Sequence, residues 1–316
     1  MPMKTTNTKI LAVFEAVSEA LEGCESSAKE HFYKLNNRKL ITSIAFSILL
    51  TGFAFAQPSQ NVLNAKDAKS NYGKEFSVTP MNSSVKITKR TVTISPKTEG
   101  ETYTLSGYFN GQIINRTKNT VLKLNGAYLE NSNGEAAIFG EAKTEISSAK
   151  DSVNYLISRG HSESKTAALQ CRKNLVIGGS GTICIQSDVY HAVKADEIKL
   201  KGSGILYAQG TDKGAAINCQ SLTVEKDKTF TAYLMNSKNG VKADGTINIQ
   251  SGKFYLSNLE TGFKTNTIKD LPKEEHGITL SGGTFHTDSV KTLYSTDKNA
   301  WKDSGATFLD SKTGGQ

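Results

Sequence analysis

The stretch His191–Val224 reads HAVKADEIKLKGSGILYAQGTDKGAAINCQSLTV, and its reading decides the fold. Val193 is followed two residues on by Ala195, and 24 residues after Val193 stands Ile217, followed in turn by Cys219. Between them Ile198/Leu200 and Leu206/Ala208 form two further alternating pairs, separated by Lys201-Gly202-Ser203-Gly204. Apolar residues at every second position mark strands with one buried face. Three short strands per 24 residues, then a restart, is a repeat in which no single unit can bury its own apolar face.

Outward from this stretch the same columns continue. The apolar openers are Ile138, Leu169, Val193, Ile217, Val241 and Phe263. Their small partners are Gly140, Cys171, Ala195, Cys219, Ala243 and Thr265. Middle pairs recur at Leu175/Ile177, Leu222/Val224, Ile247/Ile249 and Ile278/Leu280, and last pairs at Ile183/Ile185, Ala232/Leu234 and Phe254/Leu256. The pattern predicts an all-β chain: a single-stranded, right-handed, parallel β-helix, a three-sided solenoid over residues 83–316. The hand is that of parallel crossovers in general. Successive tiers would stack ~4.8 Å apart, each inward side chain contributing ~1.5–3 kcal/mol when fully buried. Strand-like runs before the repeat (SVKITK, TVTISP, TYTLSG, QIIN, VLKLNG, AYLEN) are expected to form the first tiers and a terminal cap. The tail after Phe285, with Trp301, is expected to form the other cap.

Ahead of the repeat, Arg38 and Lys39 precede seventeen uncharged residues, Leu40–Ala56, ending Ala54-Phe55-Ala56. A basic flank, an apolar run and an A-x-A exit predict a signal peptide over 35–56, cleaved before Gln57. The competing reading, a membrane anchor, wants about 20 apolar residues. No membrane span is expected after cleavage, and the location is periplasmic, secreted or cell surface. Residues 1–34 are an extension that reads either as a mis-assigned start or as a cytoplasmic segment, and polar residues 57–82 read as a linker.

After removal of residues 1–56, 32 Lys+Arg face 25 Asp+Glu, an excess of seven positive charges. An exported basic protein suits an anionic partner, and nucleic acid is excluded by compartment and by the lack of a dense basic run. No CxxC, HExxH or GxSxG occurs, and Gly178–Gly181 (GGSG) is a turn with no helix after it. Asp188, Asp196, Asp212 and Asp244 are spread along the chain rather than clustered as a calcium site requires. Cys171 and Cys219 would stand two tiers apart, ~9.6 Å by strand spacing, beyond the ~7 Å limit for a disulfide. Both are therefore expected to be small packing residues. Cys184, between inward Ile183 and Ile185, is expected to face outward and is the one candidate for an intermolecular bond.

Two outward columns are candidate glycan-binding surfaces. Tyr207, Tyr233 and Tyr255 each lie between two inward residues, with Cys184 and His286 extending the column. Aromatic strips present apolar area with polar tips, suited to the C–H faces of sugar rings; the alternative is a ladder that stiffens the sheet. Lys194, Lys242 and Lys264 share another column with Gln170 and Asn218, which reads either as a basic binding face or as a solvated surface.

The order YTLSGYFNGQIIN, then VLKLNGAYLENSNGEAAIFGEAKTEISSAKDSVNYLI, then coils such as GVKADGTINIQSGKF, resembles bacterial carbohydrate-binding domain-containing proteins, over about residues 100–290. The resemblance implies a pectate-lyase-like β-helix that binds cellulose or acidic sugars, in some members with calcium, and that is not an established enzyme. Such coils commonly open with Asp-Asp-Gly-Ile or Asp-Gly-Ile. Here the matching positions read Asp212–Ile217 (DKGAAI), Lys238–Val241 (KNGV), Glu260–Phe263 (ETGF) and His191–Val193 (HAV), so the acidic residues are mostly replaced and no cofactor, calcium included, is expected. The function expected is non-catalytic binding of a polysaccharide, acidic or cellulosic. A polysaccharide lyase or hydrolase, and a surface-structural or adhesive protein, are the alternatives the scaffold leaves open.

Overall fold

The structure, a computed structural model, describes Lys69, Tyr72 and residues 75–310, apart from 162, 164, 227, 267–276 and 297–300. All belong to the unit Gln60–Gln316. The extension and signal peptide expected over 1–56 lie outside the described residues. Among those described, no helix is long and apolar enough to cross a membrane.

Twenty-two strands are described. The first nine are β1 (Ser77–Thr79), β2 (Val85–Ile87), β3 (Thr91–Ile94), β4 (Thr102–Asn110), β5 (Gln112–Asn115), β6 (Thr120–Asn131), β7 (Ile138–Gly140), β8 (Thr144–Ser148) and β9 (Val153–Ser158). Then come β10 (Ala167–Cys171), β11 (Leu175–Gly179), β12 (Thr182–Ser187), β13 (His191–Lys194), β14 (Glu197–Leu200), β15 (Ile205–Gln209) and β16 (Ala215–Val224). The last are β17 (Thr231–Ile249), β18 (Lys253–Thr265), β19 (Gly277–Leu280), β20 (Thr284–Ser295), β21 (Trp301–Asp303) and β22 (Thr307–Asp310).

Pairing sorts them into three rows of parallel strands. In the first, β8, β11 and β14 lead to Ser221–Val224 of β16, Thr246–Ile249 of β17, then β19 and β21. In the second, β9, β12 and β15 lead to Thr231–Met235 of β17, the starts of β18 and β20, and β22. In the third, β3, β5, β7, β10 and β13 lead to the start of β16, the middle of β17 and the end of β18. The opener column is in register, with Leu169 beside Ile138 and Val193, then Ile217, Val241 and Phe263.

The three-sided open solenoid is corrected by what joins these rows. Hydrogen bonding runs without a gap through β6, β8, β11, β14, β16, β17, β15, β12, β9 and back to β6. Nine parallel strands thus close into a β-barrel, and the other strands attach outside that ring. Closure comes from strands that bend between rows instead of ending. β6 pairs with β8 through Thr120–Leu124 and with β9 through Tyr128–Asn131. Its corner is Gly126, at φ +68°, a conformation that costs other residues energy. β17 turns at Asn236, φ +49°, and spans all three rows in 19 residues. The sequence reading took VLKLNG and AYLEN, on either side of the Gly126 corner, as separate strand-like runs.

The inward pairs meet in one core, where Leu122, Ile146, Ile177, Leu200, Leu234, Phe254 and Phe285 are buried. Small residues are needed in the Gly140–Cys171–Ala195 column because the space is already filled. A Cβ on Gly140 would lie 2.6 Å from the Thr144 hydroxyl oxygen and 2.8 Å from the Cys171 sulfur. At the N-terminal end, β1 with β4 and β2 with β3 pair antiparallel and so depart from the repeat. At the other end, β21 and β22 continue the parallel pairing beyond Ile278 and Phe285.

Candidate functional site

Alternation carries one side chain from β4, from β6 and from each strand of the second row to the outer face. These form a single register column: Tyr108, Tyr128, Tyr155, Cys184, Tyr207, Tyr233, Tyr255, His286, Leu309. The structure therefore brings the expected Tyr207, Tyr233 and Tyr255 together. Their centroids are 4.6 and 4.5 Å apart, with planes within 15° and 12° of parallel, and His286 stacks on Tyr255 at 4.4 Å and 3°. At that spacing each ring face is spent on its neighbour, so the strip presents ring edges and hydroxyl tips. Tyr207 is only 6% exposed, and burial raises its phenol pKa.

Cys184 is outward but covered. It is 3% exposed and packs in a second apolar cluster with Tyr128, Tyr155, Ile157, Tyr207 and Met235, outside the main core. Burial pushes its thiol up to about 12, which removes the thiolate needed for disulfide exchange at neutral pH. The expected intermolecular bond is thereby corrected. Cys171 and Cys219 are also free and buried.

The lysines stand on the outer face of the third row, in the order Gln170, Lys194, Asn218, Lys242, Lys264. Lys242 and Lys264 are direct neighbours, and Asn218 separates Lys194 from Lys242. All three lysines are half-buried. Two lysines of the first row are neutralised: Lys201 lies 2.8 Å from Glu145, and Lys199 pairs with Glu225. Among the described residues no carboxylate pairs with Lys194, Lys242 or Lys264; Lys194 donates to the Lys165 carbonyl at 3.2 Å.

Two residues beside this column escaped the sequence reading. His191, 5% exposed, accepts a hydrogen bond at Nδ1 from the Ala215 N–H at 3.0 Å. Burial first, then the charges of Lys194, Lys242 and Lys165, lower its pKa to about 3. Asn239, two tiers on in the same column, is 5% exposed, and its Oδ1 has no hydrogen-bond partner. Neither residue type is unusual in a strand, so only the neighbours across the tiers reveal them.

A shallow cleft of about 240 Å³ lies on the first row, lined by Asn119, Lys143, Glu145, Val176, Lys199 and Lys201. Its two central lysines are held by carboxylates. Among the described residues, no three His, Cys, Asp or Glu side chains gather as a metal site.

Comparison with solved structures finds similarity to a protein described as polysaccharide lyase-like, from C. thermocellum, studied as a gadolinium derivative. The two are 17% identical, over 73% of this chain and 89% of that one, with a TM-score of 0.46. The curated proteins contain no match. A family model of carbohydrate-binding domain-containing proteins, the family that the residues of this chain resemble, matches it over residues 88–198, a stretch that holds Tyr108, Tyr128, Tyr155, Cys184 and Lys194.

Proposed function

We propose that the chain is an exported, non-catalytic polysaccharide-binding protein that takes an acidic glycan along the Lys194–Asn218–Lys242–Lys264 column. The observation that supports this most is that three half-buried lysines share one register column on the outer face of the third row, with no carboxylate partner among the described residues. Half-buried ammonium groups in a polar surround attract an anion more strongly than fully solvated ones. Tiers ~4.8 Å apart match the advance of an extended pyranose chain per residue, so carboxylates on successive sugars meet successive tiers. The likeness of residues 88–198 to carbohydrate-binding domains agrees with this reading.

The test is calorimetry with oligogalacturonate. Lys194→Gln/Lys242→Gln/Lys264→Gln should lose at least roughly tenfold in affinity, ~1.4 kcal/mol. The unmodified chain should bind less tightly as salt rises and equally with or without millimolar calcium. Unchanged affinity in the triple variant removes the lysines from the site. The same assay on Tyr207→Ala/Tyr233→Ala/Tyr255→Ala, after circular dichroism confirms the fold, decides whether the ladder contributes or only stiffens the sheet.

A further inference from the structure

The two ends of the stack are finished differently. At the N-terminal end the core is covered: Val78 of β1 and Val85 of β2 are 5% and 7% exposed, and both strands pair antiparallel, out of line with the repeat. At the C-terminal end the parallel pairing runs to the last strand. Among the described residues β21 pairs only with β19, β22 only with β20, and residues 290–295 of β20 only with β18. The inward columns end there uncovered. Tyr294 follows Phe263 in the opener column, yet it is 42% exposed where Phe263 is fully buried. Phe308 ends the inward stack Phe254–Phe285–Phe308, whose rings lie 5.3 and 5.2 Å apart, and is only half-buried, as are Val290 and Leu293. Leu309 is 43% exposed. The adjoining sequence supplies no apolar cover, since residues 297–300 read DKNA and residues 311–316 read SKTGGQ. An open edge next to uncovered apolar side chains is a template for another chain.

The backbone of β22 shows what kind of chain fits. The Thr307 N–H donates to the Gly283 carbonyl at 2.9 Å, so Thr307 and Leu309 direct their backbone groups at β20. Successive residues of a strand point these groups to opposite sides, so the N–H and C=O of Phe308 face the open edge. A second β22 laid antiparallel, with Phe308 opposite Phe308, exchanges both of these hydrogen bonds. The same register sets inward side chain against inward side chain, and outward Thr307 against outward Leu309. The last strand is therefore complementary to itself.

We propose that a second copy of this chain covers the C-terminal end: two chains meet end to end about a twofold axis, and their β22 strands pair antiparallel with Phe308 opposite Phe308. The covered N-terminal end offers no matching column, so like end meets like end and the assembly closes at two chains. None of Lys194, Lys242 and Lys264 lies on these last strands, so the contact is independent of glycan binding.

The exported chain is followed by sedimentation equilibrium up to about 100 µM, where a dimer should form and dissociate on dilution. Thr307→Lys/Leu309→Lys sets like charges opposite one another across the axis and should weaken dimerisation at least tenfold. Thr307→Glu/Leu309→Lys sets opposite charges there and should restore it. Both positions are exposed, so circular dichroism should be the same in both variants. Should a variant misfold, hydrogen exchange on the unmodified chain decides: the Phe308 amide should be protected at high concentration and exchange faster on dilution. A monomer throughout, assemblies larger than two, equal dimerisation of the two variants, or exchange at Phe308 that ignores concentration each overturns the proposal.

Discussion

His191 shows how much one side chain owes to its neighbours. In the fold it is protonated only below about pH 3, whereas an exposed histidine takes its proton near 6.5. Between those values the unfolded chain binds a proton that the folded chain refuses. Stability is therefore complete above pH 6.5 and drains as pH falls toward 3, by an amount on the order of a few kcal/mol. Thermal unfolding measured from pH 7 to pH 4 should show this loss, and His191→Gln should flatten it; an equally steep profile in the variant removes His191 as the cause. Cys184 illustrates a limit of residue-level reading. Alternation between Ile183 and Ile185 correctly sets it on the outer face. Outward is not the same as exposed, however, because Tyr155, Tyr207 and Tyr72 share its apolar cluster.

Among elements, the bent strands decide the architecture. Asn236 turns β17 at φ +49°, Asn258 turns β18 at +51° and Ser289 turns β20 at +56°, one tier after another. Their side chains help to hold the corner: Asn258 donates to Asn236 at 2.9 Å and Asn236 to Gln209 at 3.1 Å. A β-branched residue tolerates that backbone poorly. Both Asn236→Val and Asn236→Gly lose these hydrogen bonds, but only valine strains the backbone, so Asn236→Val should cost about 1–2 kcal/mol more than Asn236→Gly in urea unfolding; equal midpoints for the two variants would remove backbone strain as the reason for Asn. The later half of the tyrosine ladder was legible because Tyr207, Tyr233 and Tyr255 each sit between paired inward residues. The earlier half was not, because Tyr108, Tyr128, Tyr155 and Cys184 are 20, 27 and 29 residues apart, far from the 24-residue period. The tripeptide Ala-Tyr-Leu at 127–129 and again at 232–234 is the signal that links the two halves.

For the whole molecule, tier-to-tier register followed from the sequence, since a column such as Ile138–Leu169–Val193–Ile217 needs only an apolar residue at the right interval. Closure of the ring did not, because nothing in Asn-Gly-Ala or Met-Asn-Ser distinguishes a corner within a strand from the end of one. The proposed export makes a further prediction: expressed in a bacterium with an intact secretion pathway, the chain should be recovered with Gln57 at its N-terminus. Mass spectrometry that finds Leu40–Ala56 still attached to the exported protein would refute the signal peptide. Finally, β17 pairs with β15, β16, β18 and β19. Stretched from its two ends, the strands outside the closed ring peel away in small steps, because each is bonded only to the strands beside it. β17 interrupts that sequence, because peeling it away strips support from all three rows together. Under mechanical load the chain would yield gradually until β17 bears the tension, then release the remaining C-terminal tiers at one larger force.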